Sequence, residues 1–131
     1  MVGKILVDTN IIIEHVNGSS NILKEYLALQ DEGKVILFVS TITVFEFYSG
    51  LEMSKPSIQQ KTDLLFTLFT EKEVNNAISQ IAAYLNRSQN LYSKIETNDL
   101  LIAATAIHLK AKVLTRNMKH FGIIKGVDLI L

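Results

Sequence analysis

Residues 4–10 read KILVDTN. Four residues dominated by aliphatic side chains stop at a carboxylate, and a second apolar run, IIIEHV (11–16), begins almost at once. A short apolar run of this kind is the mark of a strand buried on both faces. Asp, Thr and Asn are all good helix N-caps. The stretch therefore predicts a strand passing sharply into a helix, with Asp8 at the strand's carboxyl end. Thr9 or Asn10 could cap that helix alone, which leaves Asp8 available for another task.

The same strand type recurs along the chain: VILFV (35–39), KVLT (112–115) and VDLI (127–130). Between these runs the spacing predicts helices over 20–31, 41–53, 57–69, 71–89 and 98–110. Ser19 and Ser20 are placed to cap the first of them. Thr70-x-x-Glu73 has the form of a capping box for the fourth, and Thr97 is the expected cap of the last. The single proline, Pro56, marks a loop between two helical stretches. Near-continuous apolar strands alternating with helices predict an α/β fold, a central parallel sheet covered on both faces.

The 131 residues fit one domain, 1–131. With no cysteine, disulfides, thiol nucleophiles and zinc–thiolate sites are excluded. The apolar run at the amino end is too short for a signal peptide or an anchor, so a soluble, cytoplasmic protein with no membrane partner is expected. Net charge is zero, but it is unevenly spread: residues 1–70 hold five lysines and eight acids, residues 71–131 eight basic residues and five acids. Between 86 and 126 seven basic residues face only Glu96 and Asp99. Such an asymmetry could supply a phosphate-facing surface or simply be solvated lysines.

In a parallel sheet, ligands gather at the carboxyl ends of the strands, where strand order reverses. Four places meet that condition. Asp8 follows the first strand. Glu46 lies in STITVFEFYSG, just past the second, with Thr43, Ser49 and Gly50 on its own stripe and Val44, Phe45, Phe47, Tyr48 and Leu51 loading the other faces. Asp99 opens DLLIAATAIHL, where it could also be a first-turn acid complementing the helix dipole. Thr115-Arg116-Asn117 follows KVLT, with Asn117 also able to cap MKHF. Carboxylates crowded in one pocket raise each other's pKa unless a cation is present. Hard oxygen donors select Mg²⁺ or Mn²⁺. Such a site suits phosphodiester hydrolysis, because the metal neutralises phosphate charge and acidifies a bound water.

Taken in order, LVDTN, STITVFEFYSG, NDLLIAATAI and VLTRNMKHF resemble the PIN-domain family, and within it the toxin ribonucleases of VapBC toxin–antitoxin modules. The likeness spans essentially the whole chain. It implies a three-layer α/β/α sandwich with a central parallel sheet and an acidic, Mg²⁺- or Mn²⁺-dependent endoribonuclease site acting on tRNA or rRNA. By the resemblance, Asp8, Glu46 and Asp99 are the acids that bind metal. Thr9 orders the first acid or a water, and Asn117, where relatives often carry Asp, is the fourth site position with Thr115 beside it. Arg116 and Lys119 would meet the RNA backbone. The resemblance also implies a homodimer and a cognate antitoxin. The run LLFTLF (64–69) could help bind such a partner or be wedged in the chain's own core.

The rival readings differ in chemistry. A PIN-fold module that binds RNA or protein without cutting gains nothing from clustered negative charge. A phosphoacceptor domain would need paired acids after the first strand and an Asp after a central one, and VILFVST has none. The histidines His15, His108 and His120 are expected to be structural, and Glu96 an outer or surface acid.

Overall fold

The computed structural model describes residues 2–131; Met1 and the side chain of Leu51, expected on the apolar side of its helix, lie outside the described residues. The elements run β1 (Gly3–Val7), α1 (Thr9–Val16), α2 (Ile22–Asp31), β2 (Val35–Ser40), α3 (Thr41–Tyr48), a 3₁₀ turn (Leu51–Ser54), α4 (Pro56–Phe66), β3 (Thr70–Lys72), α5 (Asn76–Ser88), α6 (Thr97–Leu109), β4 (Lys112–Leu114), α7 (Met118–Gly122) and β5 (Leu129–Ile130). The five strands form one sheet in the order β3-β2-β1-β4-β5, and every pairing is parallel. The expected α/β/α sandwich is the observed one.

Alternation along β1 builds the two cores. Ile5 and Val7 join Leu37, Val39 and Leu114 beneath Ile11, Ile12 and Leu23 of α1 and α2. Leu6 points the other way, toward Val113 and the α5, α6 and α7 side chains Ile78, Ile102 and Phe121. Leu6, Val7, Leu37, Val113 and Leu114 are all fully buried, each stabilising the fold by roughly 1.5–3 kcal/mol. Helix α6 is buried almost all round from Ile102 to Ala106. Its alanines make that possible, since small side chains let the helix lie close to both the sheet and α5. The close fit sets where the first turn of α6, with Asp99, stands relative to the strand ends.

Local chemistry moved several boundaries. Thr70–Lys72 is not a capping box but β3, an edge strand paired with Phe38–Ser40. Helix α5 starts later, with Asn75 accepting from the Ile78 amide at 3.0 Å. The 41–53 helix ends at Tyr48, where the Ser49 hydroxyl turns back onto the Phe45 carbonyl at 2.6 Å. Pro56 opens α4 from its first turn, where its missing N–H costs nothing. Thr97 is the first residue of α6, not its cap; Glu96 holds the cap position without a side-chain bond. Asp8 itself caps α1, accepting from the Thr9 amide at 2.8 Å.

Candidate active site

The order of the sheet reverses between β1 and β4, so the crevice at their carboxyl ends is the switch point. Asp8 stands on one lip and Thr115 on the other. The two strand ends are joined by the Asp8 amide donating to the Leu114 carbonyl at 3.0 Å. The Thr115 hydroxyl donates to Asp8 Oδ2 at 2.9 Å, across 107 residues of sequence. With Oδ1 taken by the Thr9 amide, both oxygens of Asp8 are held, and only 4% of the residue is exposed. The Asn117 amide donates to Thr115 Oγ1 at 2.9 Å, so the turn after β4 orders the hydroxyl that orders Asp8.

Glu46 reaches the crevice from α3 and is held by two neighbours. The Thr9 hydroxyl donates to Oε1 at 2.8 Å and the Asn98 amide to Oε2 at 3.4 Å. Thr43 Oγ1 lies 3.1 Å from Thr9 Oγ1 and completes this set. Asp99 enters from the first turn of α6, and its Oδ2 is 3.6 Å from His120 Nδ1. The same His120 nitrogen lies 2.8 Å from the Asn117 side-chain amide. A neutral His120 accepts from that amide, whereas a protonated one needs the amide oxygen turned toward it.

These groups open into a cavity of about 350 Å³ lined by Asp8, Thr9, Asn10, Ile13, Glu46, Glu96, Asp99, Asn117 and His120. Four carboxylates line it and, among the described residues, no lysine or arginine does. The electrostatic consequence falls on two acids. Asp99 is pushed from 3.8 up to about 6, first by burial, then by the charge of Asp8, with Glu46 and Glu96 adding to it and His120 opposing. Asp8 is raised by its burial, which outweighs the bonds from Thr115 and Thr9.

Among the described residues, no three His, Asp or Glu side chains stand close enough together to enclose a metal ion. The donor chemistry nonetheless fits a hard divalent cation. Mg²⁺ keeps several waters and takes only one or two carboxylates directly, and an all-oxygen pocket with excess negative charge offers that.

The crevice brings together Asp8, Thr9, Glu46, Asp99, Thr115 and Asn117, as the sequence predicts. It leaves out two expected members. Arg116 turns away to Glu14 Oε2, 2.7 Å from its Nε, and donates to Ser20 Oγ at 3.1 Å. Lys119 is exposed and is not part of the cavity wall. Sequence reasoning passed over two residues that belong here. His120 follows Asn117 by three, one turn along α7, and that spacing was its signal. Asn98 had only its place beside Asp99. Glu96, expected at the outer edge, does line the cavity.

Comparison with known proteins agrees with this geometry. Residues 5–123 match the family model of the PIN domain. Ribonuclease VapC19 of Mycobacterium tuberculosis is 31% identical over 119 residues, covering 88% of this chain and 90% of its own. VapBC2 from Rickettsia felis, solved bound to a DNA fragment from its promoter, superposes with a TM-score of 0.84 at 26% identity, covering 97% of both chains. VapBC-1 from Haemophilus influenzae gives 0.77 at 25% identity, covering 97% of this chain and 96% of its own. From the strand-end acids to the sheet order and the matched residues, the chain belongs to the PIN domain family.

Proposed function

We propose that this chain is a divalent-cation-dependent endoribonuclease and the toxin half of a toxin–antitoxin pair. The observation that carries the reading is the acidic cavity at the switch point: four carboxylates, no lysine or arginine among the described residues of its wall, and an Asp99 driven up to about 6. A groove for binding RNA alone would gain nothing from such charge. Asp8, Glu46 and Asp99 would hold Mg²⁺ or Mn²⁺, which when bound supplies neutralisation of phosphate charge and a more acidic water.

The chain's own residues do the rest. Thr9 and Thr115 hold Asp8 by both oxygens, so that it cannot swing away when the neighbouring acids repel it. Thr9 and Asn98 restrain Glu46. Asn117, ordered through Thr115, presents a neutral amide where relatives often carry a fourth acid, and so lowers the charge an approaching phosphate meets. His120 offsets part of the charge on Asp99. Lys119, exposed and one residue from His120 though outside the cavity wall, would meet the RNA backbone. The substrate is RNA, with tRNA and rRNA loops the class implied by the resemblance to toxin ribonucleases.

The same reading takes residues 1–131 as one working domain, in the cytoplasm, as a homodimer bound to an antitoxin. No helix among the described residues is long and apolar enough to cross a membrane. Relatives solved as VapBC assemblies support the antitoxin. So do two open apolar depressions: one beside Glu46, lined by Ile13, Val16, Phe47, Met53 and Ile58, and one against Leu64, Leu65 and Leu68. Leu64 and Leu68 stay exposed while Leu65 and Phe69 of the same run are buried.

The test is cleavage of an end-labelled RNA with Mn²⁺, with Mg²⁺ and with EDTA, for the native protein and for Asp8→Asn and Asp99→Asn. Cleavage that needs the cation and is lost in both variants is expected. Undiminished cleavage in both variants would overturn the assignment of the site, and salt-dependent RNA binding with no cleavage under any condition would sink the proposal in favour of a binding module.

A further inference from the structure

The acidic cavity is not closed; a second depression continues from each side. One shares Asn10, Ile13 and Asn117 with it and runs out to Glu14 and Arg116. The other shares Glu96 and His120 and runs out to Ser93, Lys94 and Ile95. Together they make a continuous groove with carboxylates at its middle and a cation at each end. The two ends differ. Arg116 has its charge answered by Glu14 at 2.7 Å. Lys94 is exposed and has no acid within ion-pair distance among the described residues.

The segment that carries Lys94 is a built turn. Asn90 and Ser93 take left-handed backbone conformations, with φ of 51° and 64°. The Leu91 amide bonds the Asn86 carbonyl at 3.0 Å, the Lys94 amide bonds the Leu91 carbonyl at 2.9 Å, and Leu91 itself is buried. Tyr92, between them, is 57% exposed. An aromatic ring and an unanswered cation two residues apart on a fixed turn are what single-stranded nucleic acid needs, a face for a base and a charge for the backbone.

We infer that a single-stranded RNA substrate leaves the acidic cavity past His120 and lies in the Ser93–Ile95 cleft, with Lys94 on a backbone phosphate and Tyr92 under a base. The inference rests on the ribonuclease reading. It also gives Glu96 a role: its carboxylate lines both the cavity and the cleft, so it opposes the phosphate that Lys94 attracts.

Binding of a fluorescein-labelled single-stranded RNA is measured by anisotropy over a range of KCl in Mg²⁺ buffer, on an Asp8→Asn background so that the RNA is not consumed. Lys94→Ala is expected to weaken binding and to make the slope of log K against log salt shallower by about 0.7, one phosphate contact on a single strand. Tyr92→Ala should weaken binding about fivefold or more with the slope unchanged. Glu96→Gln should tighten it. Lys112→Ala, at the amino end of β4 and so at the opposite end of the strand from the cavity, is the control and should change nothing beyond its own small contribution to net charge. If Lys94→Ala and Tyr92→Ala bind like their parent, or if the parent binds no RNA, the inference is overturned. Cleavage by the native protein is scored separately, so loss of the ribonuclease reading and loss of this track are distinguishable outcomes.

Discussion

Replacing Asp99 by Asn should make the metal-free protein more stable while removing its proposed activity. Burial and the charges of Asp8, Glu46 and Glu96 lift the Asp99 carboxyl from 3.8 to about 6. The folded state therefore holds that proton more tightly than the unfolded chain does. The stability this contributes is fully present below pH 3.8 and is lost as pH rises toward 6, after which the ionised carboxylate is a constant burden. A difference of that size corresponds to at most about 3 kcal/mol at pH 7, and because Asp99 is only partly buried, solvent screening brings it to about 1–2 kcal/mol. The pull of His120, at 3.6 Å and with the imidazole 44% exposed, is already contained in that raised value, so losing the contact adds no separate cost. A net gain of about 1–2 kcal/mol is expected for Asp99→Asn at pH 7, or a rise in Tm on the order of 5 °C for a domain this size. Urea denaturation in EDTA at several pH values from 4 to 8 reads it. The curves of variant and native protein should nearly coincide at pH 4 and separate between pH 4 and 6. Adding Mn²⁺ should stabilise the native protein by about 2.7 kcal/mol at a hundred times the dissociation constant and so close the gap. If Asp99→Asn is no more stable than the native protein at pH 7 in EDTA, the carboxylates do not crowd one another and the electrostatic case for a cation fails.

Other expectations follow from single contacts. Thr115→Val keeps the shape of a fully buried residue but strips Asp8 of one hydrogen bond; a loss of about 1–3 kcal/mol in urea denaturation, with reduced RNA cleavage, is expected. Lys110 ends α6 in the left-handed conformation at φ 57°, so Lys110→Gly should add about 1 kcal/mol, read as a raised denaturation midpoint at unchanged activity. Ala104→Leu forces extra methylenes into a fully buried position of α6 and should cost at least about 1–3 kcal/mol. Because α6 carries Asp99, cleavage by that variant should fall even under conditions where it stays folded.

Much of the fold was legible because its signals are local. KILV, VILFV and KVLT are apolar enough to declare strands buried on both faces, and the carboxylate after the first declares where the strand stops. β3 was missed because Thr-Glu-Lys carries no apolar pattern: as an edge strand it is recruited by the open side of β2, not by its own side chains. The caps went astray for a related reason. Several residues at each helix start could serve, and the choice falls to the one whose side chain the surrounding structure leaves facing an amide, Asn75 for α5 and Asp8 for α1.

By itself the sequence determined that an α/β sheet would form and that three acids would sit at its strand ends, since hydrophobic period and strand termination are properties of neighbouring residues. Only the tertiary structure decided what those acids touch. Parallel pairing of β1 with β4 brings Thr115 onto Asp8, and helix α3 brings Glu46 onto Thr9. The same packing draws Arg116 away to Glu14 and brings His120, passed over in the sequence, beside Asp99. Contacts between residues 34 to 107 positions apart depend on strand order and helix depth, and no stretch of the chain encodes either one alone.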